Sequence, residues 1–272
     1  MTREMAASSV PRTSWRLVLE IGGERYAVRT DRPLHLAIPL DFHGAQPEAF
    51  GLPSARAEVC REDTFVGDTR LGGSCNCEQV SLVPHGSGTH TEGIGHLTDS
   101  RIAIHAALRE ALIPATLVTL TPEPVESGRA PAVTGASIAR LGLASGPFLR
   151  GLVVRTKPND WSKKSRVWTG ATAPYFTPEA AKALRELGVS HLVCDLPSLD
   201  PERDGGALAA HRAYWDIAAR EANPVTRNRT ITELAYIDDT IPDGRYLLNL
   251  QIAPFVLDAA PARPVLFEVQ PI

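Results

Sequence analysis

A short segment rich in histidine and glycine constrains this chain more than any other feature. Residues 85–96 read HGSGTHTEGIGH, which places three histidines, one glutamate and four glycines within twelve positions. Imidazole and carboxylate groups are ligands that hold zinc or manganese, and glycine lets the backbone bend so that neighbouring side chains converge. A closed metal site also needs ligands from distant segments, so the fold must bring other parts of the chain to this one.

The spacing within the segment predicts which side chains share a face. Alternate side chains of an extended strand project to the same side, so His90 and Glu92 are expected to face one ion together. His85 would face away, unless a bulge at Gly86 or Gly88 returns it to the common face. The alternative interpretation is a glycine-rich surface loop with exposed histidines.

The segment resembles the signature of the cyclase family of metal-dependent hydrolases, which includes bacterial kynurenine formamidase. The family's run is His-x-Gly-Thr-His-x-Asp-x-x-x-His, and residues 88–96 match it as Gly-Thr-His-x-Glu-x-x-x-His. Further stretches are similar to family blocks and come in the same order, so the resemblance extends from about Leu34 to Val269. These stretches are residues 37–42, 72–76, 153–156, 175–201 and 231–234.

The resemblance implies a divalent metal, zinc or manganese, and assigns its ligands. His90 and Glu92 come from the first motif, His211 and Glu233 from the second half, and the Glu92 carboxylate is able to bridge two ions. His96 is implied to be the catalytic acid-base residue.

Two positions depart from the family's pattern. The family's first histidine falls at Gly86, so His85, one residue earlier, is kept as a further candidate ligand, and whether it replaces the missing one stays open. Glu92 stands where the family has aspartate, and its extra methylene shifts the ion or changes its denticity. The Cys75-x-Cys77 pair offers two more interpretations: a thiol near the ion, or structural thiols.

Each candidate also has a structural interpretation. His96 would then be a plain loop histidine, and His211 would meet solvent from a short helix over residues 207–215. Glu233 would be a carboxylate on a strand face, although its apolar neighbours favour an ion or a charged partner. Residues Asp195, Ser198 and Asp200 are interpreted as turn formers around two prolines and are assigned no catalytic role, although the resemblance places them near the pocket.

Composition excludes several classes of protein. The chain has 272 residues, with 43% hydrophobic and 22% charged, and no linker divides it, so we expect one domain over 1–272 with an N-terminal β extension at 1–33. A net charge of −3 does not indicate a surface that binds nucleic acid.

No signal-peptide or membrane-spanning segment is apparent, which predicts a cytoplasmic protein. The resemblance adds the expectation of a homo-oligomer.

Hydrophobic patterning predicts the secondary structure. A hairpin is expected over 15–28 and strands over 34–40, 115–120, 189–194, 230–237, 246–252 and 264–269. Helical spacing extends over 102–112, and a helix should begin at Thr177-Pro178 and end at Gly188. These elements predict a mixed α/β domain, which the resemblance makes a single mixed-sheet domain of the swivelling β/β/α type.

The residues and the resemblance together predict a metal-dependent hydrolase that acts on an amide of a small molecule. N-formylkynurenine is the first expected substrate, which would make the protein an arylformamidase of tryptophan catabolism, yielding kynurenine and formate. Two alternatives stay open. One is an enzyme that opens or closes another lactam or lactone in specialised metabolism. The other is an inactive protein that retains metal, which the substitution at Gly86 motivates.

Overall fold

A mixed β-sheet forms the centre of the protein in the computed structural model, which describes residues 17–126 and 130–272. Within these residues the strands are β1 (Leu17–Ile21), β2 (Glu24–Val28), β3 (Leu34–His35), β4 (Arg56–Val59), β5 (Arg61–Glu62), β6 (Phe65–Val66), β7 (Glu78–Ser81), β8 (His90–Gly93), β9 (Leu112–Leu120), β10 (Ala132–Val133), β11 (Gly151–Thr156), β12 (Tyr175–Phe176), β13 (His191–Cys194), β14 (Thr230–Glu233), β15 (Gly244–Asn249), β16 (Ala259–Pro261) and β17 (Val265–Pro271). The α-helices are α1 (Ile104–Ala107), α2 (Gly135–Arg140), α3 (Pro178–Glu186) and α4 (Ala209–Trp215).

Eleven of the strands form the main sheet. Its order is β1-β2-β17-β15-β9-β11-β13-β14-β8-β16, and β3 pairs with β17. The four central strands β9, β11, β13 and β14 are parallel, and the strands on either side pair antiparallel. The mixed α/β fold predicted from the sequence is therefore confirmed.

Helices cover one face of this sheet. Along β11, Leu152 and Val154 point into the core beneath α2, α3 and α4, whereas Val153 points into a second core on the opposite face. Tyr214 and Trp215 of α4 are fully buried in the first core. Because both faces are covered, β11, β13 and β14 are buried along their whole length, as central parallel strands generally are, and the polar side chains they carry are buried with them.

Several predicted elements are confirmed. Helix α3 begins at Pro178 with Thr177 as its N-cap, and Gly188 follows its end with φ +93°. Residues 17–28 of the predicted hairpin form β1 and β2, while its first two residues and residues 1–16 of the predicted extension lie outside the described residues. The described helices include none long and apolar enough to cross a bilayer.

Other predictions were wrong in extent. The helix predicted over 102–112 is a single turn, because the chain enters β9 at Leu112. The strand predicted over 230–237 ends at Glu233, because Leu234 adopts the left-handed conformation with φ +52°. The strand predicted over 34–40 forms a ladder only at Leu34–His35 and continues as an isolated bridge at Ala37. The strand predicted over 246–252 is β15 and ends at Asn249.

Candidate metal centre

Strand register brings the first motif to the strand that carries Glu233. Strands β8 and β14 pair antiparallel with His90 opposite Glu233, and the His90 Nε2 atom lies 3.5 Å from Glu233 Oε2. On the other side of the ladder, the hydroxyl oxygens of Thr91 and Thr232 lie 2.7 Å apart. The backbone N–H of Leu199 donates to Glu233 Oε1 at 2.8 Å and fixes the carboxylate. The strand spacing thus places His90 and Glu92 together, as expected.

Helix α4 adds His211 to this group. The Asp200 carboxylate accepts hydrogen bonds from the Ala210 and His211 backbone N–H groups at 2.8 and 3.1 Å, and from His211 Nδ1 at 2.6 Å. His211 Nε2 therefore faces the site, 2.9 Å from Glu92 Oε1 and 3.5 Å from Glu233 Oε1. The solvent-facing interpretation of His211 is wrong, since the residue is only 1% exposed.

Among the residues that the structure describes, none is a hydrogen-bond partner for three buried ligand-type atoms of this group: His90 Nε2, Glu92 Oε1 and His211 Nε2. The last two atoms are close, but their relative angle does not permit a hydrogen bond. The other ring nitrogen of each histidine is engaged, with His90 Nδ1 held by the Gly88 carbonyl at 3.0 Å. Buried polar atoms without a hydrogen bond are costly, and a histidine that ligates metal typically has its other ring nitrogen held by a hydrogen bond, as His90 and His211 do. The donor set fits zinc or manganese.

A second group of side chains, those of His85 and His96, lies next to the other carboxylate oxygen of Glu92, Oε2. His85 Nδ1 is 3.0 Å and His96 Nε2 is 3.9 Å from Glu92 Oε2, and the two rings stack with centroids 4.3 Å apart. One ligand atom per residue can be chosen so that all lie within 4.8 Å of one another in two sets, His85 with Glu92 and His96, and His90 with Glu92 and Glu233. Glu92 is the member they share, so it sits where a bridging carboxylate would.

His85 reaches the site from a turn. Its predicted return by a bulge was wrong, because the strand begins only at His90, and the chain turns over residues 84–86 before Gly88 adopts φ +85°. A Cβ added at Gly86 would lie 2.8 Å from Leu52 Cδ1 and 3.2 Å from the Ala49 carbonyl oxygen, so a side chain fits there only if these neighbours shift. The packing therefore disfavours a histidine at the family's usual position, and His85 approaches Glu92 in its place.

The charged groups of the site hold one another ionised. Burial opposes ionisation of Glu92, but the electrostatic influence of the neighbouring His96 and His211 rings brings its pKa well below the ordinary value. Burial likewise opposes protonation of His211, but the Glu92 charge and the Asp200 hydrogen bond raise its pKa well above the ordinary value. For His85, hydrogen bonds to Asp258 and Glu92 outweigh burial and raise the pKa to about 10. The carboxylates therefore stay ionised at neutral pH, and His85 and His211 must each release a proton for their ring nitrogens to bind a cation.

Two functional residues were missed from the sequence. Asp200 was interpreted as a turn former, yet it holds His211. Asp258 was not considered, yet its Oδ2 lies 2.8 Å from His85 Nε2 and 3.2 Å from His96 Nδ1. The one available signal for Asp258 was a lone carboxylate after the apolar run 255–257, which is too weak without knowledge of the pairing of β16 with β8.

A cavity of about 330 Å³ opens onto the groups around Glu92. Its apolar wall is formed by the side chains of Phe50, Leu52, Val83 and Leu208. Cys75 and Cys77 are exposed, and the lining of the cavity includes neither. The volume suits a small molecule held by apolar contacts, with its reactive end at the histidines and carboxylates.

Comparisons with known proteins agree with this geometry. The family model described as putative cyclase matches residues 27–201. No curated protein matches the chain. Among solved structures, a potential metal-dependent hydrolase with cyclase activity is 20% identical, with a TM-score of 0.59 over 87% of this chain and 98% of that one.

Two isatin hydrolases share the fold as well. Isatin hydrolase A from Labrenzia aggregata, bound to benzyl benzoate, is 16% identical, with a TM-score of 0.60 over 88% of this chain and 94% of that one. Isatin hydrolase A from Ralstonia solanacearum is 17% identical, with a TM-score of 0.58 over 87% and 91%. At these identities the likeness establishes a common fold.

Proposed function

Because the chain belongs to the cyclase family, we propose that it is a metal-dependent hydrolase that opens an amide bond in a small molecule. The observation that carries this proposal is a set of three buried atoms, on His90, Glu92 and His211, that converge beneath a cavity and make no hydrogen bond within the described residues. Together with Glu233 they offer nitrogen and oxygen donors of the kind that hold a catalytic divalent ion. His85 would serve as a further ligand beside the second oxygen of Glu92.

The residues around this set divide the chemical work. When bound, a divalent ion lowers the pKa of water and polarises a carbonyl. His96 is partly exposed at the cavity, and its Nε2 accepts the proton that the attacking water loses as the new carbon–oxygen bond forms. It then returns this proton to the departing amine nitrogen as the carbon–nitrogen bond breaks. The apolar wall orients the rest of the substrate.

The finer proposal is an arylformamidase that converts N-formylkynurenine to kynurenine and formate. Its support is the sequence resemblance, together with a cavity whose apolar wall suits an aromatic ring. The second candidate is the opening of a lactam such as isatin. The likeness to two isatin hydrolases favours this candidate, since a lactam is a cyclic amide that the same residues would open.

One assay tests the proposal and separates its two forms. Chelator-treated protein is assayed with N-formylkynurenine and with isatin, each with zinc, with manganese and without added metal. We expect turnover of at least one substrate that depends on the added ion. Turnover that is independent of metal would contradict the proposal, and ion binding without turnover of any small amide would favour the inactive metal-retaining protein.

A further inference from the structure

Asp258 lies outside residues 27–201, which the family model matches. Its carboxylate contacts both His85 and His96, the two histidines next to Glu92 Oε2. Asp258 Oδ2 is 2.8 Å from His85 Nε2 and 3.2 Å from His96 Nδ1. The same two rings present their other nitrogens, His85 Nδ1 and His96 Nε2, to Glu92 Oε2. Asp258 and Glu92 therefore hold the pair of rings from opposite sides.

The backbone fixes the position of Asp258. Its carbonyl accepts a hydrogen bond from the Gly93 backbone N–H at 3.0 Å, and the next residue, Ala259, pairs with Glu92 in the ladder between β16 and β8. The carbonyl of Leu257 accepts from the Ile104 backbone N–H at 2.7 Å. The sheet thus sets the position of Asp258 relative to the motif it contacts.

The two contacts determine which ring nitrogens carry protons. A carboxylate oxygen accepts hydrogen bonds, so the nitrogens that face Asp258 must be the donors: Nε2 of His85 and Nδ1 of His96. In a neutral histidine only one nitrogen is protonated, and its partner in a hydrogen bond selects which. With Nδ1 protonated, His96 presents a bare Nε2 toward Glu92 and the cavity, which is the form that a proton acceptor needs.

We propose that Asp258 is a positioning residue that holds His96 with its proton on Nδ1 and His85 with a proton on Nε2. A carboxylate that holds a ring nitrogen in this way fixes both the tautomer and the orientation of the ring. The effect of Asp258 on turnover rests on the proposed function, whereas its effect on the protonation of the two histidine rings does not.

The direct test reads the proton positions. In zinc-loaded protein labelled with ¹⁵N at histidine, long-range ¹H–¹⁵N spectra distinguish the two ring nitrogens, and the variants His85→Asn and His96→Asn assign the signals. We expect a protonated Nδ1 and a bare Nε2 for His96 in the wild type. In Asp258→Ala this pattern should be lost. Asp258→Asn keeps a carbonyl oxygen as acceptor and should preserve it at least in part.

Kinetics provide the second readout, on whichever amide the wild type hydrolyses. Asp258→Ala should lower kcat by about 10- to 100-fold with KM changed less than about twofold, and Asp258→Asn should recover part of the loss. Asp31→Ala is the matched control, because Asp31 is exposed and pairs only with Arg29 among the described contacts. The control should leave kcat unchanged.

The outcomes separate the two proposals. If His96 carries its proton on Nε2 in the wild type, or if both rings keep their protonation in Asp258→Ala, the role of Asp258 is overturned whatever happens to turnover. If the wild type hydrolyses no amide, the proposed function fails, and the ring spectra still decide the role of Asp258.

Discussion

Glu92 is the residue on which the site converges. One of its oxygens lies near His211 and the other near His85 and His96, although the residue is only 1% exposed. A carboxylate so deeply buried is stable only beside positive charge, because its desolvation is otherwise too costly. A bridging role between two ions would use both oxygens.

At the scale of single residues, His96→Ala tests the acid-base assignment. The ligand-type atoms of His90, Glu92, His211 and Glu233 stay in place in this variant, so bound metal should be retained. Loss of general acid-base catalysis should lower kcat by about 10²–10⁴-fold. Metal content and kcat are measured on the same preparation, with His35→Ala at an exposed position of β3 as control. Wild-type activity in His96→Ala would reject the assignment.

His191 gives the residue-scale prediction for pH. Its Nδ1 is hydrogen-bonded to Thr230 Oγ1 at 2.9 Å, and its Nε2 makes no hydrogen bond within the described residues, although it lies 3.6 Å from Glu110 Oε1. Burial outweighs the Glu110 charge and lowers the pKa of His191 to about 4. The unfolded chain, with an ordinary histidine pKa near 6.5, therefore binds more protons between pH 6.5 and 4, so the free energy of unfolding falls as the pH is lowered through this range.

His191 should lower the free energy of unfolding by about 2 kcal/mol at pH 5 relative to pH 7.5, since each pKa unit is worth about 1.4 kcal/mol. Urea unfolding of the wild type and of His191→Asn at both pH values measures it. The asparagine amide keeps a partner for Thr230 and does not titrate, so the variant should lose less stability on acidification. Equal losses in the two proteins would show that His191 titrates normally.

At the scale of elements, the loop before β8 and the end of β14 shape the site. Thr89 Oγ1 donates to the Leu234 carbonyl at 2.5 Å and accepts from the Ile38 backbone N–H at 2.9 Å, which fixes the loop to two other segments. Leu234 adopts its left-handed conformation directly after Glu233. Backbone strain of this kind is found at functional sites, where the surrounding structure maintains it.

Gly86→His tests the packing of this loop. The substitution restores the family's histidine spacing, but its Cβ would lie 2.8 Å from Leu52 Cδ1 and 3.2 Å from the Ala49 carbonyl oxygen. We expect a loss of about 1–3 kcal/mol in the free energy of unfolding and weaker metal binding. Urea unfolding and metal titration measure the two effects. Unchanged stability with tighter metal binding would show that the loop yields easily.

The sequence predicts helices and strands that have local signals better than it predicts which distant side chains meet at the site. The cap and proline at 177–178 define α3, because helix starts have local chemistry. The turn that returns His85 depends on contacts of Thr89 with residues more than 50 positions away, which local patterns do not contain. The contacts of Asp258 depend in the same way on the pairing of β16 with β8. That the candidate residues ligate metal stays a prediction.

At the scale of the whole molecule, the site joins parts of the chain that are far apart in sequence. The contributing side chains come from residues 85–96, 200–211, 233 and 258, brought together by adjacent strands β14, β8 and β16 and by α4. An ion bound to all of them would resist unfolding, because the unfolded chain does not hold the ligands together. A single domain and a homo-oligomer stay predictions.

Because the ion binds only the folded protein, added metal should raise the melting temperature. At an ion concentration about 100 times the dissociation constant, binding adds about 2.7 kcal/mol, which should raise Tm by about 5–10 °C over chelator-treated protein. Calorimetric scans with and without zinc measure the shift. Glu92→Ala should show little response, whereas Glu58→Ala, an exposed control, should respond as the wild type does. A full shift in Glu92→Ala would show that the ion binds elsewhere.

The most direct test of a catalytic metal centre is a titration that follows bound ion and turnover in the same samples. Metal-free protein receives zinc or manganese in steps, and each sample is analysed for bound metal and for hydrolysis of N-formylkynurenine and isatin. We expect hydrolysis of at least one substrate to rise in proportion to bound ion and to saturate when the site is full. Hydrolysis before any ion is bound, or a full site that hydrolyses neither substrate, would contradict it.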